Sequence, residues 1–260
     1  EHAASLAGPG TAIRLSPGVH SSDQFVADLE GTALGPIWIG GEPGRLPKPV
    51  ISGGSEALHL GRAKWVVVHD LEIHSSTGNG LNADDGGETA NPLASHHLVF
   101  RRLSIHDIGS GGNNDCLKLS GIDDFWVLDS TIARCGGGTS GSGVDCVGCH
   151  AGLIARNRLE QMSGNAVQAK GGSADLEIRW NHLVSPGARG FNLGGSTGFA
   201  FFRPPLSPTV PNAEARRIEA IGNLIVGGDT PFAFVGCFDC VAAHNTVVNP
   251  ATWLMRILQE

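Results

Sequence analysis

Three observations predict an all-β chain wound as a right-handed parallel β-helix, a solenoid of three-strand coils. An apolar-x-apolar triplet recurs along the chain. A second and a third short apolar strand flank it in each repeat. Glycine-rich turns separate them, and 38 of the 260 residues are glycine. The triplets are Leu71-Glu72-Ile73, Leu103-Ser104-Ile105, Ser130-Thr131-Ile132, Asn157-Arg158-Leu159, Asn181-His182-Leu183, Asn223-Leu224-Ile225 and Asn245-Thr246-Val247. Their last residues lie 32, 27, 27, 24, 42 and 22 residues apart. Such repeats fit coils stacked about 4.8 Å apart, with inward side chains forming the core.

Each coil is assembled in the same order. Trp65–Val68, Leu98–Phe100, Phe125–Leu128, Leu153–Ala155 and Leu176–Ile178 precede the triplets. Cys116–Leu119, Val144–Val147, Ala166–Lys170 and Gly190–Leu193 follow them. The opening coils read as Ile13–Leu15, Phe25–Leu29, Ile37–Ile39, Val50-Ile51 and Leu58–Leu60. Asn157, Asn181, Asn223 and Asn245 recur at one turn, where stacked amides can hydrogen-bond from coil to coil. A β-propeller would need longer, more even repeats of about 40 residues.

Residues 1–260 read as a single β-helix domain. Residues 195–215 form a long excursion over one face, with Phe199, Phe201, Phe202, Arg203 and prolines 204, 205, 208 and 211. A loop of this kind is often functional. The sequence stops at Leu258-Gln259-Glu260, just after a strand. An open last coil is a sheet edge, so truncation there or self-association through it is expected.

Net charge is −7, and charged residues make up only 17%. That argues against disorder and against non-specific nucleic-acid binding. No apolar run approaches the roughly 20 residues of a membrane helix. There is no tyrosine, so a catalytic tyrosine is excluded, and the lysines are only Lys48, Lys64, Lys118 and Lys170. The six cysteines lack the density of a disulfide scaffold. Cys146-Val-Gly-Cys149-His150 matches a haem-attachment spacing, but alternation turns Cys146 inward as a small core residue.

Two stretches resemble a known family. Gly31-Thr32-Ala33-Leu34-Gly35-Pro36-Ile37-Trp38-Ile39, with Gly41-Glu42-Pro43-Gly44, resembles the N-terminal coils of bacterial β-helix polysaccharide lyases. Asn165-Ala-Val-Gln168-Ala-Lys170-Gly-Gly-Ser-Ala-Asp175-Leu-Glu-Ile178 resembles that superfamily's strand ending in a catalytic lysine. The closest likeness is to the alginate lyase and chondroitinase B family. The resemblance implies a secreted enzyme, extracellular or periplasmic, cleaving a uronic-acid polysaccharide, with Lys170 as base. The family's acidic calcium ligands stand here as Asn165 and Gln168, and the place of its arginine is Leu193-Gly194-Gly195.

Strand alternation assigns the faces. Leu117, Val144, Val167 and Phe191 align as inward on four consecutive coils. Lys118, Asp145, Gln168 and Asn192 then point outward and are expected exposed in a row, with Lys170 two residues beyond Gln168. Such a strip suits an anionic polysaccharide or oligosaccharide bound along consecutive coils. β-Elimination needs a group that neutralises the carboxylate, a base for the α-proton and a proton for the departing oxygen. Lys170 reads as the base, and Lys118 as the carboxylate binder with Asp145 orienting it. A base lysine must shed its proton, which a nearby cation or partial burial favours. Lys170 also opens a Gly171-Gly172 turn, which would leave room for a sugar.

Candidates for the acid are Arg203, folding back from the long loop, and His150, in the turn after Asp145. Arg189, Asn192, Asp115 and Phe202 complete the expected substrate contacts. Asp84 and Asp85, near Asn82 and Glu88, are oxygen donors of the kind calcium takes. The rivals are a glycoside hydrolase using Asp115 and Asp145 as its acid pair, an epimerase sharing the proton abstraction, and a non-catalytic carbohydrate-binding β-helix.

Overall fold

The computed structural model describes residues 1–109, 111, 114–136 and 140–258. Among these the chain winds through three parallel sheets, each taking a strand from every successive coil. The winding is that of a right-handed parallel β-helix. The first sheet runs through Lys64–His69, His96–Arg101, Asp123–Leu128, His150–Ala155 and Ser173–Arg179. The second carries the recurrent triplets, from Glu72–His74 to Thr246–Val248. The third contains Leu58–Gly61, Leu81–Asp84, Leu117–Ser120, Ser142–Val147, Asn165–Lys170, Arg189–Gly194 and Thr230–Val235. Not legible in the sequence were the strands Gly18–His20, Leu81–Asp84, Ala215–Ile221, Thr230–Val235, Cys237–Phe238 and Val241–Ala243, and one helical turn at His2–Ser5, with Ala4 and Ala7 packed on the core. The last strand is Met255–Leu258, and Gln259 and Glu260 lie outside the described residues.

The predicted register holds. Leu117 pairs with Val144, Val144 with Val167 and Val167 with Phe191, and all four are fully buried. Cys146 faces inward between Leu119 and Ala169.

The asparagine ladder is complete. Asn181 Nδ2 donates to Ile154 O at 2.9 Å and to Asn223 Oδ1 at 3.0 Å. Its Oδ1 accepts from Asn157 N at 2.9 Å and Asn157 Nδ2 at 3.0 Å. Both donors and both lone pairs of a buried amide are thereby used. Asn157, Asn223 and Asn245 extend the pattern, and Ser130 begins it by donating its amide to Asn157 Oδ1. Asn181→Asp would set carboxylate oxygens against the Ile154 carbonyl and Asn223 Oδ1. The expected loss is about 3 kcal/mol, read as a lower urea midpoint; a shift of less than about 1 kcal/mol would mean that the ladder carries no load.

A second ladder was not foreseen. Asp28–Arg62, Asp70–Arg102, Asp107–Arg134, Asp129–Arg156 and Asp175–Arg217 are paired carboxylate–guanidinium contacts. All ten residues have left-handed backbones, so the turns of adjacent coils stack Asp under Arg. Most of these pairs face solvent and each contributes little to stability.

The cysteines depart from the sequence reading. Cys116–Cys135 and Cys237–Cys240 are disulfides, whereas Cys146 and Cys149 are reduced and buried. Cys116 stands just before the third-sheet strand Leu117–Ser120 and Cys135 ends the second-sheet strand Thr131–Cys135, 19 residues on, so only their shared inward direction brings them together.

Candidate functional site

The third sheet turns a polar row outward. His59 pairs with Asn82, Asn82 with Lys118, Lys118 with Asp145, Asp145 with Gln168 and Gln168 with Asn192. The row was expected to be exposed, and this is corrected: Asp145, Gln168 and Asn192 are buried, and Lys118 is only partly exposed. Longer neighbours and a crossing segment cover them. A methyl group at Gly195 would lie 2.8 Å from Gln168 Nε2 and 3.3 Å from Lys170 Cβ, so the start of the long loop passes directly over both.

The centre is a four-residue charge cluster. Lys118 Nζ lies against Asp145 Oδ2 and 3.4 Å from Asp115 Oδ2. Lys170 Nζ approaches the same Asp145 oxygen at 3.8 Å, with its side chain 13% exposed. Asp115 reaches the cluster from the turn before Leu117, where its Oδ1 accepts the Ser142 amide at 2.7 Å. Burial first, and then the charge of Asp145, push the Asp115 carboxyl up to about 7. Burial opposes the charge of Lys118, but Asp145 and Asp115 outweigh it and hold the ammonium above its ordinary value.

Amides flank these charges. Gln168 Oε1 accepts from Asn165 Nδ2 at 3.2 Å and from Ser142 Oγ at 3.4 Å, which leaves its NH₂ as the donor. Arg189 sits one coil on, at the start of its strand, with Nη1 3.5 Å from Asn165 Oδ1. Asn82 Oδ1, Asp145 Oδ1 and Asn192 Oδ1 are buried acceptors with no hydrogen-bond donor, all on this strip. Unfilled acceptors gathered on one strip are a mark of a functional surface, because buried polar groups are otherwise paired.

His150 and Arg203 do not join this cluster. They belong to a network on the first-sheet side of the Gly171-Gly172 turn. Arg203 is buried, pairs with Asp123 and donates to Gly148 O at 3.0 Å. Both ring nitrogens of His150 are taken up: Nδ1 by Arg203 and Asp123, Nε2 by the carbonyls of Gly172 and Arg203. Phe202 turns inward under the same loop. The Gly171-Gly172 turn is not open to a sugar, since a methyl at Gly172 would meet Arg203 O at 2.3 Å. Its missing side chains make room for the chain's own loop. Beside it lies a cavity of about 440 Å³, lined by His150, Asp175, Phe202, Pro204, Arg216 and Arg217 among others. Of the charge cluster, only the two lysines reach solvent, Lys118 with its side chain 20% exposed and Lys170 with 13%.

Asp84 and Asp85 do not make a calcium cage. Asp84 Oδ2 accepts from His59 at 2.7 Å and its Oδ1 from Gly86 N at 2.9 Å. Asp85 Oδ1 takes the Gly87 amide, which leaves one oxygen of the four without a partner. Among the described residues no group of three or more His, Cys, Asp or Glu is arranged to hold a metal. No chemical step is therefore routed through calcium.

Sequence reasoning missed the pairing of Asp84. His59 Nδ1 lies 3.0 Å from Glu56 Oε2, and the hydrogen bonds to Asp84 and Glu56 push the imidazole up to about 9 from 6.5. A raised cationic group contributes stability in full below its ordinary pKa and loses it as pH rises through the folded one. Stability should fall between pH 6.5 and about 9 through this group, and His59→Gln should flatten that part of the curve. Thermal midpoints across the range check it; parallel curves for the two proteins would refute the ion triad.

No family model matches the chain, and no curated protein matches it in sequence. Solved structures do. An alginate lyase from Paenibacillus sp. str. FPU-7 aligns over 99% of this chain and 95% of its own, with 16% identity and a TM-score of 0.67. Pectate lyase Pel9A aligns over 100% and 70%, with 12% identity and a TM-score of 0.60. An endo-xylogalacturonan hydrolase from Aspergillus tubingensis aligns over 99% and 71%, with 12% identity and a TM-score of 0.56. At these identities the shared property is the fold. No helix of the described chain is long and apolar enough to cross a membrane.

Proposed function

We propose that the protein is a secreted polysaccharide lyase that cleaves a uronic-acid polymer by β-elimination. One observation carries this reading. Two of the four lysines of the chain meet one buried carboxylate, Asp145, on the outward face of a parallel sheet. Lys118, held charged by Asp145 and Asp115, draws in the uronate carboxylate, and the Gln168 NH₂ and Arg189 add donors along the strip. Drawing charge off the carboxylate makes the α-proton acidic. Lys170 is the base that takes that proton. The electron pair becomes the new carbon–carbon double bond as the bond from the β-carbon to the glycosidic oxygen breaks. Water protonates the departing oxygen. His150 and Arg203 are spent on Asp123 and the backbone, so neither supplies that proton here.

The hydrolase reading fares worse. Asp115 and Asp145 are each 1% exposed and Lys118 lies against both, so both carboxyl groups of the acid pair are already engaged by a cation. Two disulfides agree with an oxidising compartment, and hence with secretion. The test is a panel of alginate, polygalacturonate, glucuronan and glycosaminoglycans, each with and without chelator, followed by the ultraviolet absorbance of unsaturated uronate. A rise on at least one polymer is expected. Reducing ends without that absorbance would mean hydrolysis, and inverted uronate in uncut chains would mean epimerisation.

A further inference from the structure

The segment between Gly194 and Ala215 is pinned to the body of the protein on both sides of one short turn. Glu214 accepts from Thr197 N at 2.8 Å, from Thr197 Oγ1 at 2.6 Å and from Gly171 N at 2.8 Å. Arg203 N donates to Gly171 O at 2.9 Å, and its guanidinium reaches inward to Asp123. Between these pins lies a 3-10 turn, Phe199–Phe201. Phe202, next along, is buried, but Phe199 is 80% exposed and Phe201 67%. Two phenyl rings held in water by a tethered segment forgo the burial that an untethered loop would give them.

Their position carries a further meaning. A methyl at Gly171 would lie 3.1 Å from Thr197 Cγ2 and 3.2 Å from Phe201 O, so the turn rests on the residue that follows Lys170. The backbone of the turn therefore sits beside the end of the outward strip after Lys170, and Phe199 lines a hollow with Thr197 and Glu214, which reach the same glycine turn. A pyranose ring has an apolar C–H face, and aromatic side chains with an apolar body offer a matching surface. We propose that Phe199 and Phe201 form a stacking platform for a pyranose unit of the polymer, next to the unit that Lys170 attacks. Glu214 and Arg203 are its positioning residues. This deepens the lyase reading and rests on it only in taking the strip as the polymer path.

The test uses the full chain carrying Lys170→Ala, so that binding is read without cleavage. Retardation in native gels containing alginate or polygalacturonate gives the affinity. Phe199→Ala with Phe201→Ala should weaken binding about tenfold, and Phe199→Trp, which keeps a ring face, should hold it. In the otherwise unaltered protein the double variant should raise KM by a similar factor with kcat little changed. Unchanged retardation in the double variant, or no retardation of any form by either polymer, would overturn the platform. Light scattering guards against the rival use of the rings: a dimer that dissociates in the double variant would make them a protein contact instead. A protein that binds through these rings but cleaves nothing would retain the platform and sink the lyase reading, so the two failures are distinguishable.

Discussion

Lys170→Ala should lower turnover by about 10³-fold while leaving the fold in place. The side chain lies on the outer face of the third sheet, away from the core rows of Val167 and Ala169. Its loss leaves Asp145 still paired with Lys118, so the cost in stability should stay near 1 kcal/mol. Lys170→Arg should fail almost as badly. A guanidinium keeps the positive charge but cannot accept a proton. Initial rates of both variants on the polymer that the unaltered protein cleaves decide the matter. Substantial turnover by Lys170→Ala would end the lysine-base mechanism.

Asp145→Asn should damage both activity and stability. Asp145 is 1% exposed and is the one carboxylate that both lysines meet at Oδ2. The amide keeps the volume but sets two cations around a neutral group. Breaking a buried ion pair costs about 3 kcal/mol, here softened because Asp115 still faces Lys118. Loss of the lysine's placement should lower kcat about 100-fold. The pH dependence gives a sharper signature. Asp115, raised to about 7 by burial and by Asp145, contributes stability that is whole below its ordinary 3.8 and is lost as pH rises through about 7. With Asp145 neutral, the second of those causes is gone, and the loss should move to lower pH. Urea unfolding at a series of pH values reads both effects. Unaltered midpoints and an unmoved pH step would show that the two carboxylates are not coupled.

The solenoid was legible because its rule is local. An inward residue at every second position and a turn every few residues placed Leu117, Val144, Val167 and Phe191 on one buried line, and the recurrent Asn placed the ladder. The burial of the polar row was not legible. What covers Gln168 and Lys170 is Gly195, which arrives from the next coil, and what fills the Gly171-Gly172 turn is Arg203. Neither contact leaves a trace in local periodicity. His59 escaped notice for a related reason: Asn82 and Lys118 are neighbours across the sheet but 36 residues apart in the chain, so the row could not be followed back by counting. The Cys116–Cys135 bond and the Asp–Arg turn ladder likewise depend on which coil stacks on which. Lys118, Asp145 and Lys170 were legible together because three regular coils of 27 and 24 residues carry them.

The most direct test of the central claim is the proton NMR spectrum of the products that the unaltered protein makes from a uronate polymer it depolymerises. β-Elimination by Lys170 predicts an olefinic proton at each new non-reducing end, in step with new reducing ends, and absent when Lys170→Ala is used. New ends that carry a hydroxyl and no olefinic signal would contradict it.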